Sequence, residues 1–154
     1  MKRYLIAIAL LFFSATQTIA AETNFEAVNG WVKPSMPGKN LTAAFFDLKN
    51  NSEKVRVLRS VQSSIGVAEM HNTIEENGVM KMRHMDAVEL PAGETVSFKP
   101  KAKHIMLMEL PKPLKEGDEV TLTLQFDGDE TLSVTMPVAA AAPLPVTQPE
   151  HPHH

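Results

Sequence analysis

The octapeptide KHIMLMEL, Lys103–Leu110, carries His104, Met106 and Met108 on one parity and Ile105, Leu107 and Glu109 on the other. Successive side chains of a strand point to opposite faces, so this segment offers an imidazole and two thioethers on one face and ordinary aliphatic core on the other. Upstream, His71 and Met82 flank the pair Asn77-Gly78. That pair favours a two-residue hairpin loop because both of its residues accept positive φ. With such a loop His71 faces His84 and Thr73 faces Met82, which places His71, Met82 and His84 on one face, Met82 diagonal to His71. Any even loop length keeps the shared face; a bulge would break it.

Setting the His104/Met106 face beside this hairpin gathers two imidazoles and two thioethers from three strands. Thioethers are soft and neutral and imidazole is borderline, a mixture that suits Cu(I) and serves Mg²⁺, Ca²⁺ or Zn²⁺ poorly. Taken singly, Met80, Met82, Met106 or Met108 is a core residue by default, since methionine fills irregular gaps. A lone His71 or His104 is likewise an ordinary hydrogen-bonded strand residue. Joint placement is what points to a site. Around it, His84 reaches the same face as a neighbour of the ligands or a solvent-facing group, and Met108 packs beneath. Met85 points away, and Met36 lies in the turn Pro34-Ser35-Met36-Pro37-Gly38.

The elements that must position these residues are short and extended. Beyond Glu22 the apolar pattern alternates and is broken by turn signals every ten residues or so, which argues an all-β sandwich or barrel. Strands are expected at residues 25–33, 41–50, 54–63, 67–74, 79–85, 95–99, 104–110, 119–126 and 131–137. Between them lie turns at Asn50-Asn51-Ser52, Asn77-Gly78, Pro91-Ala92-Gly93 and Asp127-Gly128-Asp129. One copper-binding β domain over residues 22–138 is expected, followed by an Ala/Pro-rich tail over residues 139–154 that cannot form a ladder. His151, His153 and His154 at the tail's tip have donors suited to Cu(II), Ni(II) or Zn(II).

The chain of 154 residues begins with Lys2 and Arg3, a short apolar run and then small residues to Ala20. This pattern reads as a cleavable secretory signal over residues 1–20, its apolar core too short for a comfortable membrane span. The expected fate is export, with no stable membrane insertion after cleavage. Loss of Lys2 and Arg3 leaves 13 of the 15 basic residues against 18 acidic ones, a mildly acidic balance with no basic stripe for nucleic acid. There are no cysteines among the 154 residues but nine methionines. Disulfides, thiolate metal sites, a Cys nucleophile and a Cys lipid anchor are thereby excluded. Thioethers suit an oxidising compartment, because they cannot pair into disulfides.

The spacing His71, ten residues, Met82, twenty-one residues, then His104-x-Met106 resembles the copper motif of the periplasmic copper chaperone family of the PCuAC type. The flanks resemble it too: WVKPSMPGKNLTAAFFDLKN, AEMHNTIEENGVMKMRHMDAVELPAGETVSFKP and KHIMLMELPKPLKEGDEVTLTLQF. The resemblance covers roughly residues 24–138. It implies a cupredoxin-like Greek-key β-sandwich binding one Cu(I) through His71, Met82, His104 and Met106. The implied role is delivery of copper to the CuA site of cytochrome c oxidase subunit II or to another periplasmic copper-handling protein. One departure stands out: many relatives place a Met directly after the first His, whereas here Asn72 follows and Met70 precedes.

The expected class is a metal-transfer protein and not an enzyme. A blue-copper electron carrier would need a Cys thiolate, and the chain has none. A scavenger or tolerance protein without a dedicated recipient would use the same four residues. An immunoglobulin-like interaction module is disfavoured by the spacing. A hydrolase finds no convincing Ser-His-Asp or paired-carboxylate constellation.

Overall fold

The computed structural model describes residues 23–143; the expected signal segment and the tail histidines His151, His153 and His154 lie outside them. Ten strands form: β1 (Phe25–Val32), β2 (Thr42–Asn50), β3 (Arg56–Ser63), β4 (Val67–Glu76), β5 (Val79–His84), β6 (Val88–Leu90), β7 (Thr95–Phe98), β8 (Lys103–Met108), β9 (Glu119–Phe126) and β10 (Thr131–Pro137). All nine expected strands are present. The tenth, β6, has only three residues, buried at Val88 and Leu90. So short a strand leaves no alternation for a pattern to reveal.

The strands make two antiparallel sheets. One has the order β1-β2-β8-β4-β5, with β7 also pairing β2; the other has the order β10-β9-β3-β6. Their inner faces supply the core. Val120, Leu122, Leu124 and Phe126 of β9 are buried in strict alternation, and Ala44, Phe46 and Leu48 of β2 and Ile105 and Leu107 of β8 join them in the core. Phe25 stacks on Phe126 with ring centroids 3.6 Å apart, and Phe46 lies on Phe98 at 4.7 Å. Such a two-sheet arrangement buries one face of each sheet and leaves the other to water. Among the described residues no helix is long and apolar enough to cross a membrane.

Two local features carry the outer face of the first sheet. The first is a bulge in β1: Ala27 pairs with Leu48, but Trp31 pairs with Phe45, so one extra residue enters β1 between Val28 and Trp31. Asn29 takes a left-handed φ of 57° there, and its amide donates to Asp47 Oδ2 at 3.0 Å. The extra residue inverts the phase of the strand. Phe25 and then Val32 point inward, while Trp31 turns outward to pack on Phe45 at 4.8 Å. Gly30 is required beside it, because a Cβ would come within 2.7 Å of Met136 Cγ.

The second feature is the β4–β5 hairpin. Asn77 and Gly78 have φ of 53° and 75°, the two positive values that a tight hairpin loop demands. The pairs His71 with His84 and Thr73 with Met82 follow from it, as the sequence implies. β5 closes the sheet and pairs with β4 alone. Lys81 and Arg83 on β5 both reach Glu76 of β4, at 2.7 and 3.0 Å, and charged residues on an edge strand discourage pairing with another chain.

Candidate metal centre

Cross-strand pairing brings the sequence-expected residues together. His71 of β4 lies opposite His84 of β5 on one side and His104 of β8 on the other. Partners across a ladder share a face, so these three imidazoles form a row across three strands. Their ring centroids are 5.7 Å apart for His71 and His84 and 5.9 Å apart for His71 and His104. Met106 pairs with Glu69, two residues from His71 on the same face, and Met82 pairs with Thr73, two residues the other way. His71, Met82, His104 and Met106 therefore occupy one contiguous patch, with a thioether diagonal to His71 on each flank.

The neighbouring residues fall where strand parity puts them. Met70, next to His71, is buried in the core opposite Ile105. Met85 packs partly against the core, and Met108 is half-buried opposite Val67. His84 is half-exposed, and Met36 stands well out in solvent in its turn.

The two central imidazoles are oriented from outside the patch. His104 is buried, and its Nδ1 lies 2.9 Å from the carbonyl oxygen of Ala102. A carbonyl only accepts, so Nδ1 carries the proton and Nε2 keeps the lone pair. The same Ala102 carbonyl accepts the backbone N–H of Thr73 at 3.1 Å, which ties the loop before β8 to β4. His71 is held in the reverse sense: its Nε2 lies 3.0 Å from Glu69 Oε2, so Nε2 donates and Nδ1 is left with the lone pair. The His71 N–H holds the Glu69 carboxyl below the usual carboxylate range; burial opposes this and His84 adds to it.

What remains is the property that marks the site. His71 Nδ1 and His104 Nε2 are both buried and have no hydrogen-bond partner among the described residues. An unpaired buried acceptor costs about 1–3 kcal/mol, and buried polar groups normally find partners. Two such atoms on neighbouring strands, each with its other ring nitrogen already committed, match the way ligating histidines are held by a second hydrogen bond.

Beside them an open depression of about 490 Å³ is lined by Phe45, Thr73, Met80, Met82 and His104, with Lys33 and Lys101 at its border. Met82 is 59% exposed, so one flank of the patch is open to an approaching molecule. Two features of the site escape sequence reasoning. Glu69 has the parity of His71, two residues away, and that spacing is the signal that could have found it. The packing of Trp31 on Phe45, which lines the depression, depends on the β1 bulge, which the sequence does not announce.

Residues 25–138 match the model of the family described as "Putative lipoprotein LpqE-like". The chain is similar to "Putative lipoprotein Lxx21020" of Leifsonia xyli subsp. xyli, 36% identical over 110 residues, which is 70% of this chain and 65% of that protein. Among solved structures it resembles the copper-bound PCuAC domain from PmoF2 with a TM-score of 0.64 and 18% identity, covering 77% of this chain and 94% of that one. It also resembles the solution structure of CuI-DR1885 from Deinococcus radiodurans with a TM-score of 0.55 and 29% identity, covering 75% of this chain and 76% of that one. The two-sheet sandwich is thus a cupredoxin-like β fold.

Proposed function

The chain belongs to the LpqE-like family, and from that premise we propose that it is an exported copper carrier of the PCuAC type. It binds one Cu(I) through His71, Met82, His104 and Met106 and passes the ion to a copper protein. The observation that carries this reading is the pair of unpartnered buried nitrogens, His71 Nδ1 and His104 Nε2, on the face that also holds both thioethers. A metal ion at that point takes up both lone pairs and removes the cost of leaving them bare. The copper-bound and CuI-bound relatives of the same fold support the choice of ion, as does the preference of neutral sulfur and imidazole donors for Cu(I).

The chemistry is transfer, with no bond made or broken in a substrate. All four donors are neutral, so the ion leaves without stranding charge in the site. Preset tautomers lower the reorganisation needed for capture, and the exposed Met82 is the ligand a recipient displaces first. Ligand exchange through a shared intermediate then moves the ion downhill. The expected recipient is the CuA domain of cytochrome c oxidase subunit II, and the expected compartment is the periplasm.

An anaerobic Cu(I) titration against a chromophoric Cu(I) chelator tests the reading. Wild-type protein is expected to withhold one equivalent, and the His71→Ala/His104→Ala double variant none. Failure of wild type to compete would leave the His-Met face as packing alone. Incubating the loaded protein with an apo CuA domain then separates a carrier, which gives up its copper, from a scavenger, which keeps it.

A further inference from the structure

Glu69 and His84 are not among the four expected ligands, yet both reach His71, Glu69 from two residues back along β4 and His84 from β5, across the ladder from the His104 side. Glu69 Oε2 lies 3.0 Å from His71 Nε2 and 3.6 Å from His84 Nδ1. One donor atom from each of the three residues lies within 4.8 Å of the other two. Behind them, His84 Nε2 is 3.3 Å from the carboxylate of the fully exposed Asp86. Glu69 and His84 also line a depression of about 210 Å³, together with Asp86 and Arg59. The larger depression on the other side of the patch is lined instead by Met80, Met82 and His104.

We propose that Glu69, His71 and His84 form a second metal site, for a divalent cation of the Zn(II) or Cu(II) kind, and that it competes with the Cu(I) site for His71. The donors are one carboxylate and two imidazoles, a set that favours borderline divalent ions over Cu(I). Glu69 and Asp86 outnumber the opposing charge of Arg59. His84 is half-exposed on an edge strand, with Nδ1 already turned toward Glu69, so a small rotation of its ring closes the set around an ion.

Competition follows from proton counting. A neutral imidazole has one lone pair. The Glu69 carboxylate beside Nε2 puts the His71 proton there, and the lone pair stays on the buried, unpartnered Nδ1. A divalent ion between Glu69 and His84 takes the lone pair at Nε2, and the proton moves to Nδ1. No proton is lost overall, but His71 can then no longer serve Cu(I). Each ion holds the ring in the tautomer that rejects the other. This competition rests on the Cu(I) reading above; the divalent site itself does not.

The test uses the full chain with His151→Ala, His153→Ala and His154→Ala in every sample, so that the tail contributes no donors. Zn(II) is titrated against a chromophoric chelator, and Cu(I) is then added anaerobically. One equivalent of Zn(II) is expected, with affinity at least tenfold weaker in Glu69→Gln and in His84→Gln and unchanged in Met106→Leu. Addition of one equivalent of Cu(I) is expected to release the Zn(II), while His84→Gln keeps its full Cu(I) equivalent. Absence of a Zn(II) equivalent, or Zn(II) binding indifferent to both Glu69→Gln and His84→Gln, overturns the site. Zn(II) retained beside a full equivalent of Cu(I) overturns the competition. A protein that binds Zn(II) in this pattern but no Cu(I) keeps the second site and disproves the copper-carrier reading.

Discussion

The fold contains two long antiparallel hairpins that are built alike and used differently. In β9–β10, every second residue of β9 from Val120 to Phe126 is buried, and Met136 of β10 joins them. In β4–β5, all six residues of β5 are exposed, among them Val79 at 57%, Met80 at 51% and Met82 at 59%. β9 is an interior strand of the second sheet, between β10 and β3, and Phe25 of the first sheet packs on its Phe126, whereas β5 lies at the edge of the first sheet with β4 as its single partner. Burying an apolar side chain of this size is worth about 1.5–3 kcal/mol, and β5 forgoes most of it. Apolar residues at an uncovered edge contribute little to packing, and at Met82 the proposed ligation of Cu(I) by the thioether gives the exposed side chain a use.

The largest difference between the hairpins is expected in stability. Leu122→Ala leaves a hole in the packed interior and should cost about 2–5 kcal/mol, read as a lowered urea midpoint. A loss of under 1 kcal/mol would mean that β9 is not the strand around which the core is built.

A smaller loss is expected at the turn that follows β9. The backbone N–H of Val57 holds the Asp127 carboxyl below the usual carboxylate range, and the Arg56 guanidinium at 2.9 Å adds to this against the opposing effect of burial. The stability this provides is complete above the ordinary carboxyl value near pH 4 and is lost as pH falls through the lowered one. Asp127→Ala should therefore cost about 1–3 kcal/mol at neutral pH, and the gap from wild type should narrow in acid. Urea midpoints at two pH values check this; a gap that stays constant would show that the carboxylate charge is not what matters.

The smallest effect on stability is expected at β5. Met82→Leu keeps the volume of an already exposed side chain, so stability should stay within about 0.5 kcal/mol of wild type, while Cu(I) affinity falls. A marked drop in the thermal midpoint would return Met82 to the status of a packing residue, and unchanged affinity would remove it from the ligand set.

The same contrast explains what could be read from the chain alone. Hairpin register follows from a local signal, Asn77-Gly78, and the alternation in KHIMLMEL fixes which face of β8 carries His104 and Met106. The first puts His71 and Met82 on one face of the hairpin, and the second puts His104 and Met106 on one face of β8. The adjacency of β8 to β4 is a long-range pairing that no local pattern encodes, and motif spacing stood in for it. β6 is too short to show a period. The β1 bulge depends on Asn29 and Gly30 accommodating Asp47 and Met136, partners that are remote in sequence. Glu69 shares the parity of His71, but a carboxylate beside a soft-metal motif reads as ordinary solvent-facing charge.

The oxygen that sets the tautomer of His104 belongs to the backbone of Ala102. A backbone carbonyl is supplied by every amino acid, so position 102 is fixed in space and free in letter. Drift at that position leaves the proton on Nδ1, and an engineer gains nothing by redesigning its side chain. The lever there is loop length: an insertion between Lys99 and Lys103 would move the carbonyl and release the ring without altering one proposed ligand.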